Sequence, residues 1–244
     1  MKKMDDELSL GMLEDALYEP WRKRLASEKK IFIPDGIVNP AKWINAKVRV
    51  LFFLKEVNGG DDEWDERDYL RRYNIEEKYK KTHSQTISEL TRWIHVFTED
   101  NYPKWNDVIA QTDNTELQSE LLQQIAVVNV KKVPGGGTVN NVKFDQYWSN
   151  EENIKKLKEQ LEIYFSIAPP DFIVCGATAW CYKAVFKEEK LKWNMTSRGV
   201  YFCEHGNSVV IDFCHPQARI SSNIKYYALL DAVQEIRVHR KKEH

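Results

Sequence analysis

The sequence predicts an α/β protein, a three-layer α/β/α sandwich in which helices cover both faces of a mostly parallel central sheet. Short and nearly continuous apolar segments, typical of strands buried on both faces, alternate with segments whose apolar residues recur at helical spacing. The length of 244 residues is enough for one large domain of this kind with additions.

The N-terminal part of the chain is predicted to be a helical extension, residues 1–46, on the outside of an α/β domain that covers residues 47–244. Leu8, Met12, Leu13 and Leu17 follow a helical spacing and are expected to form its packing face. A link punctuated by proline and glycine follows at residues 33–36.

The domain itself is predicted from strands and helices that alternate. The expected strands are Val48–Leu54, Ile125–Val130, Phe172–Cys175, Val200–Phe202 and Val209–Phe213. The last two flank a short polar segment, residues 205–208, which indicates a hairpin. Apolar stripes predict helices around residues 87–97, 117–122, 154–164 and 226–236.

Composition excludes several other classes. Hydrophobic residues make up 42% and charged residues 30%, which excludes collagen, a long coiled coil and wholesale disorder. No apolar run approaches the roughly 18–20 residues of a membrane-spanning helix. The first residues turn acidic where a signal peptide needs an apolar core. We therefore expect a cytoplasmic protein that does not associate with membranes.

The four cysteines, at positions 175, 181, 203 and 214, fit neither paired zinc knuckles nor a compact disulfide scaffold. We expect reduced thiols and no metal site. The net charge of −1 gives no global reason to expect a polyanionic partner. Residues 183–244 carry eleven basic and seven acidic side chains, which permits a cationic surface in this part of the chain.

Polar or flexible residues follow each predicted strand of the central sheet, at residues 55–60, 131–137, 176–178 and 214–219. In open α/β sheets, ligands bind beyond the carboxyl ends of the strands, where such loops converge. The four segments are therefore predicted to form one site.

These segments resemble, in order, four motifs of the uracil-DNA glycosylase superfamily. Lys55–Gly59 resembles the G-E-A-P-G loop, Val127–Gly135 an N-V-x-K-x-x-P segment, Pro169–Ala179 a P-x-x-I-V-x-L-G-x-T-A segment, and His215-Pro216 an H-P-S or H-P-A motif. The resemblance covers roughly residues 48–236. It implies the glycosylase fold and a monomeric, cofactor-free enzyme that flips a modified base out of DNA and hydrolyses its N-glycosidic bond.

The resemblance also implies catalytic roles. His215 corresponds to the histidine that donates a hydrogen bond to the base oxygen as negative charge accumulates there. Glu56 corresponds to the acidic residue of the first loop and is expected to orient water or to balance the cationic sugar. The downstream acids remain alternatives for this carboxylate: Asp61, Asp62, Glu63 and Asp65.

Three residues are candidates for binding the flipped base. Asn129 lies inside an apolar strand, where a buried amide must either find partners or face a ligand, and an amide can read a pyrimidine edge. Asn58 is a second candidate for the same pocket. Trp64, just past the first loop, is expected to stack on the base.

Five residues are expected to contact the DNA backbone or the emptied stack. Lys131, Lys132 and Gly135 combine two cations with a flexible glycine segment suited to phosphate. Arg219 occupies the family's duplex-penetrating position, and Lys225 is expected to contact phosphate nearby.

Departures from the family motifs leave more than one candidate for the base that is excised. Val57 stands where the best-known branch has a water-positioning aspartate, so uracil and a bulkier modified pyrimidine, such as those in phage DNA, are both candidates. DNA repair and phage defence are the corresponding roles. The main alternative is a catalytically inactive protein of the same fold that binds nucleic acid or a protein partner. A small-molecule hydrolase or phosphate-binding protein ranks lower, because no G-x4-G-K-[ST] segment is present.

Overall fold

A computed structural model describes residues 2–58, 62–73, 84–99, 103–112, 114–135 and 141–243, with side chains omitted at residues 2–5, 58, 242 and 243. Within these ranges the chain forms seven strands in one sheet. They are β1 (Gly36–Ile37), β2 (Val50–Asn58), β3 (Ile125–Gly135), β4 (Phe172–Gly176), β5 (Trp193–Met195), β6 (Tyr201–His205) and β7 (Ser208–Phe213).

The same ranges contain ten α-helices and one short 3₁₀ turn, Lys187–Glu189. The helices are α1 (Lys2–Ser27), α2 (Pro40–Asn45), α3 (Glu66–Arg72), α4 (Gln85–Thr98), α5 (Trp105–Thr112), α6 (Thr115–Leu122), α7 (Asn141–Trp148), α8 (Glu151–Ile167), α9 (Ala179–Val185) and α10 (Ser222–Glu243). All the predicted central strands and helical stripes fall on elements of the expected type.

The strand order is β1-β3-β2-β4-β7-β6-β5. The four central strands, β3, β2, β4 and β7, pair in parallel, whereas β1, β6 and β5 pair antiparallel at the margins. The predicted α/β class is confirmed, with the refinement that the sheet is mixed and parallel only in its centre. The predicted hairpin is also confirmed: β6 and β7 join through a tight turn at Gly206, whose φ is +57°.

Apolar side chains on the two faces of the sheet form two separate cores. On β2, Leu51 and Phe53 pack with α1, α7, α8 and α9, whereas Phe52 and Leu54 pack with α3, α4 and α10. This alternation follows from the two-residue period of a strand. Because helices cover both faces, strands such as β4 are buried on both sides, as their continuous apolarity predicts.

The N-terminal residues belong to this layered structure and do not form a peripheral extension. Trp21 and Leu25 of α1 are almost fully buried in the core beneath α8, and β1 joins the edge of the sheet. The predicted packing face of α1 was right only at Leu17, which is buried in the core, because Leu8, Met12 and Leu13 are exposed. The buried face includes the polar residue Glu14, which a search for apolar periodicity passes over.

β3 runs five residues beyond its predicted end at Val130. Lys131 and Lys132 were expected in a loop because charged residues rarely lie in buried strands. Both are buried, and each forms an ion pair, Lys131 with Glu56 and Lys132 with Asp35. These partners come from distant parts of the chain, so local sequence does not reveal them.

The described part of the chain contains no helix that is both long and apolar enough to cross a membrane. Its four cysteines are unpaired, and Cys175, Cys181 and Cys203 are buried.

The position of α1 can be tested by two leucine substitutions on that helix. Leu25→Ala removes a fully buried side chain and should lower the free energy of unfolding by about 2–5 kcal/mol in urea titrations. Leu13→Ala, at an exposed position, should change it by less than about 0.5 kcal/mol. Equal effects of the two substitutions would contradict the packing of α1 described above.

Candidate active site at the carboxyl edge of the sheet

The carboxyl ends of the central strands meet at one edge of the sheet, as the parallel pairing requires. Gly176, the last residue of β4, marks the closest approach. A Cβ atom at this glycine would lie 2.7 Å from Cδ2 of Leu54 on β2 and 3.7 Å from Cα of His215 after β7. The end of β4 thus lies close to β2 and to the start of the segment that follows β7, and a Cβ at position 176 would require the Leu54 side chain to shift.

His215 lies at this edge with a defined tautomer. The backbone N–H of Gln217 donates to Nδ1 of His215 at 3.1 Å, so a neutral ring carries its proton on Nε2. Burial lowers the pKa of His215 below its ordinary value, and the nearby ammonium groups of Lys225 and Lys55 lower it further. At neutral pH the side chain is therefore an uncharged imidazole with a single N–H donor.

Lys225 does not lie on the surface where a phosphate contact requires it. Its side chain is buried, and its ammonium group donates to the carbonyl of Pro216 at 2.6 Å and pairs with Glu89 at 3.2 Å. The predicted contact between Lys225 and DNA is therefore wrong for this structure. The side chain instead fixes the segment that follows His215 onto helix α4, because Glu89 belongs to that helix.

Glu56 and Lys131 face each other across the β2–β3 pair, in register, and their side chains form a buried ion pair at 2.5 Å. Gly135 closes over this pair, since a Cβ there would lie 2.5 Å from Cδ of Glu56. Lys131 therefore neutralises Glu56 and is not free for phosphate, contrary to the prediction. Gly135 makes room for the Glu56 carboxylate.

Asn129 shares the sheet face of Glu56 and Lys131, because it is two residues before Lys131 and pairs in register with Leu54. Its side-chain Nδ2 donates to Oδ2 of Asp35 at 3.2 Å and to Oε2 of Glu66 at 2.6 Å. Both amide hydrogens are used in this way. No hydrogen bond to the carbonyl Oδ1 is formed by the described residues, and the side chain as a whole is buried.

Asp35 is the centre of a buried polar cluster that the sequence did not predict. Its carboxylate accepts hydrogen bonds from the ammonium of Lys132, from Nε2 of Gln160 at 3.1 Å and from the backbone N–H of Asn129 at 2.8 Å. Lys132 is therefore wholly buried and, like Lys131, unavailable to DNA, contrary to the prediction. The sequence predicted that Asp35 lies in a connecting segment. Its position between the apolar residues 32–33 and 37–38 nevertheless indicated that it could be buried.

Two further carboxyl groups belong to this cluster. Glu14 of α1 accepts a hydrogen bond from Tyr164 and pairs with Arg67 at 3.0 Å. Burial raises its pKa to about 7 despite the arginine. Burial, together with the nearby charge of Asp35, raises the pKa of Glu66 to about 8. Desolvation lowers the pKa of Lys132, opposed by the attraction of Asp35.

The other acids of the first loop have different roles. Asp65 is the N-cap of α3, accepts the backbone N–H of Arg67 at 2.8 Å and pairs with its guanidinium. Asp62 and Glu63 are exposed. Asp61 lies outside the described residues. The carboxyl group nearest Asn129 in this segment is that of Glu66, which was missed because it looked like an ordinary first-turn helix residue.

The remaining predicted residues are placed as follows. Trp64 is partly buried and contacts Tyr69 edge to face, with ring centroids 5.7 Å apart. The backbone of Asn58 pairs with Gly135, but its side chain lies outside the described part. Arg219 is exposed, next to exposed Ile220.

The described residues contain a surface groove of about 340 Å³, and no predicted site residue lines it. Its lining consists of Arg198, Val200, Asn223, Ile224, Tyr227, Ala228 and Asp231. The described part of the chain has no cluster of histidine, cysteine or acidic side chains arranged to hold a metal ion. We take the carboxyl edge of the sheet as the candidate site, where His215 follows β7 and where Asn129, Glu66 and the Glu56–Lys131 pair lie beside β2 and β3.

No protein-family model, no curated protein and no solved structure matches this chain. The fold and the edge site define an α/β protein with a polar site at the carboxyl ends of its parallel strands.

The buried carboxyl groups predict a pH dependence of stability. A raised folded-state pKa means that the folded chain holds a proton that the unfolded chain has lost, so stability falls as pH rises from about 4.5 toward 7 for Glu14. Between pH 5.5 and 7, the free energy of unfolding should fall by about 1–2 kcal/mol more in the wild type than in Glu14→Gln. Urea titrations at the two pH values measure this difference, and identical slopes in the two proteins would exclude it.

Proposed function

We propose that the protein is a DNA glycosylase, which flips a pyrimidine out of DNA and hydrolyses its N-glycosidic bond. The observation that carries this proposal is the neutral imidazole of His215, which follows β7 at the carboxyl edge of the sheet and has its single N–H donor at Nε2. Each of the four sequence blocks that resemble the glycosylase superfamily includes the carboxyl end of β2, β3 or β4 or the segment directly after β7. A ligand held there contacts all four blocks.

The chemistry of base release explains why this donor suits the reaction. Breaking the bond between the base and the sugar leaves negative charge on the pyrimidine oxygens and cationic character on the sugar. A fixed N–H donor at the base oxygen stabilises that charge as it develops, without reorganising during the reaction. Nε2 of His215 is assigned this role, because the Gln217 N–H occupies Nδ1 and sets the orientation of the ring.

We assign Glu56 the role of orienting the attacking water, and not that of stabilising the positive charge on the sugar. Its ion pair with Lys131 cancels its charge, so it adds little to the stabilisation of a sugar cation. Lys131 holds one carboxylate oxygen, Oε2, and the other is the acceptor that we assign to the attacking water. In this proposal Lys131 is a positioning residue for Glu56.

Fewer cationic side chains are available to contact DNA than the sequence predicted. Of the four cationic residues predicted to contact DNA, Arg219 is the exposed one. Its neighbour Ile220 is an exposed apolar side chain of the kind that can fill the space of a flipped nucleotide.

Substitution of His215 tests the proposal. His215→Ala should lower the rate of base release by about 10²–10³-fold, since it removes one donor from the developing anion. The measurement is alkali-induced cleavage at abasic sites in oligonucleotides that carry uracil or other modified pyrimidines. His239→Gln on α10, a histidine whose ring contacts Phe202, is the matched control and should keep the wild-type rate.

The possible results separate the candidate functions. Full activity in His215→Ala would remove this residue from the mechanism. DNA binding by the wild type with no release from any base would favour the catalytically inactive alternative. Binding of free nucleotides without DNA would favour a small-molecule protein.

A further inference from the structure

Trp180 is an exposed tryptophan beside the candidate site. Its relative exposure is 49%, whereas the other seven tryptophans of the chain are buried or partly buried. Trp180 is the second residue of α9, four positions after Gly176 at the end of β4. A Cβ at Gly176 would lie 3.7 Å from Cα of His215. The exposed indole therefore belongs to the same edge of the sheet as the histidine.

Two aromatic residues of α7 hold the Trp180 ring in place. Its centroid is 6.0 Å from that of Phe144 and 5.5 Å from that of Trp148, at interplanar angles of 67° and 76°. These are edge-to-face contacts, so neither neighbour stacks in parallel on the indole. Packing thus fixes the orientation of the ring, while about half of the residue remains exposed.

Lys55, near the end of β2, places a cation on the same aromatic group. Its ammonium lies 4.5 Å from the ring centroid of Phe144 and donates to Oδ1 of Asn141, the first residue of α7, at 3.2 Å. Both partners are neutral, so they do not cancel its charge. Lys131 and Lys132, by contrast, are neutralised by carboxylates. The charge of Lys55 is therefore available to an anion.

The charge of Lys55 acts on both the candidate site and the start of α9. It lowers the pKa of His215, and it opposes the rise in the pKa of Cys181 that burial causes. Cys181 directly follows Trp180 in the chain. Because electrostatic effects weaken with distance, Lys55 is close to both the histidine and the exposed indole.

Lysines outnumber acids around this aromatic group. The first turns of α7 and α9 contain no acidic residue. Asp212 of β7 is close enough to Lys183 of α9 for the lysine to oppose the rise in its pKa that burial causes. The charged residues of α7, of α9 and of the ends of β2, β4 and β7 on the same face are Lys55, Lys143, Lys183, Asp145 and Asp212. This weakly cationic surface suits a ligand that combines a flat aromatic ring with a negative charge.

We propose that Trp180 and Lys55 form a subsite for single-stranded DNA, in which a base next to the target nucleotide stacks on the indole and a phosphate pairs with the Lys55 ammonium. This inference rests on the proposed glycosylase function, which supplies DNA as the ligand and brings the target base to the same edge. Every base can stack on an aromatic side chain, so the subsite adds affinity without selecting a sequence. In a duplex the neighbouring base is already paired and stacked. Single-stranded DNA is therefore the preferred substrate.

The first experiment measures binding to the two forms of DNA. Purified full-length protein is titrated, by fluorescence anisotropy, against a labelled oligo-dT of about 12 nucleotides and against the same strand paired with oligo-dA. Trp180→Leu keeps an apolar side chain without an aromatic face. It should weaken binding to the single strand by about 5–100-fold and binding to the duplex by less than about twofold. Trp180→Phe should bind the single strand within about threefold of the wild type.

Val238→Ala is the matched control for this substitution. Val238 is exposed on the part of α10 that contacts the turn between β6 and β7, at the opposite edge of the sheet, and its loss should leave both affinities unchanged. Unchanged single-strand binding in Trp180→Leu, or equal losses on both forms of DNA, would overturn the inference. Urea titrations of each variant identify any loss that is due to unfolding.

Lys55→Met tests the phosphate contact, because methionine keeps an apolar contact with Phe144 and removes the charge. One phosphate contact on a single strand contributes about 0.7 to the slope of log affinity against log salt concentration, so the slope should become shallower by about that amount. Lys187→Met is the control. Lys187 is exposed in the 3₁₀ turn, which pairs with the end of β6 at the opposite edge through Glu189 and His205. A wild-type slope in Lys55→Met would overturn the role of Lys55.

The kinetics of base release separate this inference from the proposed function. On a single strand that carries a released base, Trp180→Leu should raise KM by about 5–100-fold and leave kcat within about twofold, because the subsite does not touch the reacting atoms. Equal KM values for wild type and variant would overturn the inference and leave the glycosylase function standing. Loss of single-strand binding in Trp180→Leu, with no release of any modified pyrimidine by the wild type, would overturn the function and leave the subsite as a surface that binds single-stranded DNA.

Discussion

The buried carboxylate of Asp35 organises much of this protein. It lies where the chain enters the edge of the sheet, and it gathers donors from β3, through Asn129 and Lys132, and from α8, through Gln160. Burying a charge is costly unless it is paired and hydrogen-bonded, and Asp35 is both, because Lys132 pairs with it and Asn129 and Gln160 donate to it. Asp35 orients Asn129, and Asn129 in turn donates to Glu66, so the geometry at this end of β3 depends on a buried interaction.

The overall architecture was predictable because it depends on periodicity. Continuous apolar segments identified β2, β3, β4 and β7, and helical stripes identified α4, α6, α8 and α10 among the helices that cover them. The predictions failed where polar residues are buried by distant partners. Glu14 lies on the buried face of α1, and Lys131 and Lys132 extend β3, because charges elsewhere in the chain neutralise them. A single sequence contains no record of such pairs, so helical spacing placed Leu8 and Leu13 of α1 inside, and Lys131 and Lys132 were placed in a loop.

The location of the candidate site could be predicted for the same reason as the architecture. That the segments after β2, β4 and β7 meet at one edge follows from parallel pairing, and the approach of Gly176 to Leu54 and His215 agrees with it. The electrostatic state of each residue was not predictable. Lys225 is buried and bonded to Glu89 and Pro216, so it holds the segment after His215 in place. Burial and the nearby Asp35 raise the pKa of Glu66. Such differences depend on three-dimensional neighbours and not on residue type.

The pairing of Lys132 with Asp35 also bears on how the chain can be divided. Asp35 and Glu14 belong to the first 46 residues, whereas Lys132 and Arg67 belong to the remainder. A fragment beginning at residue 47 would leave Lys132 without its counter-ion, would uncover the core surface that Trp21 and Leu25 bury, and would remove the neighbour of β3 at the margin of the sheet. The boundary predicted from the sequence pattern is therefore a poor place to cut, and a minimal expressed fragment must retain α1 and β1.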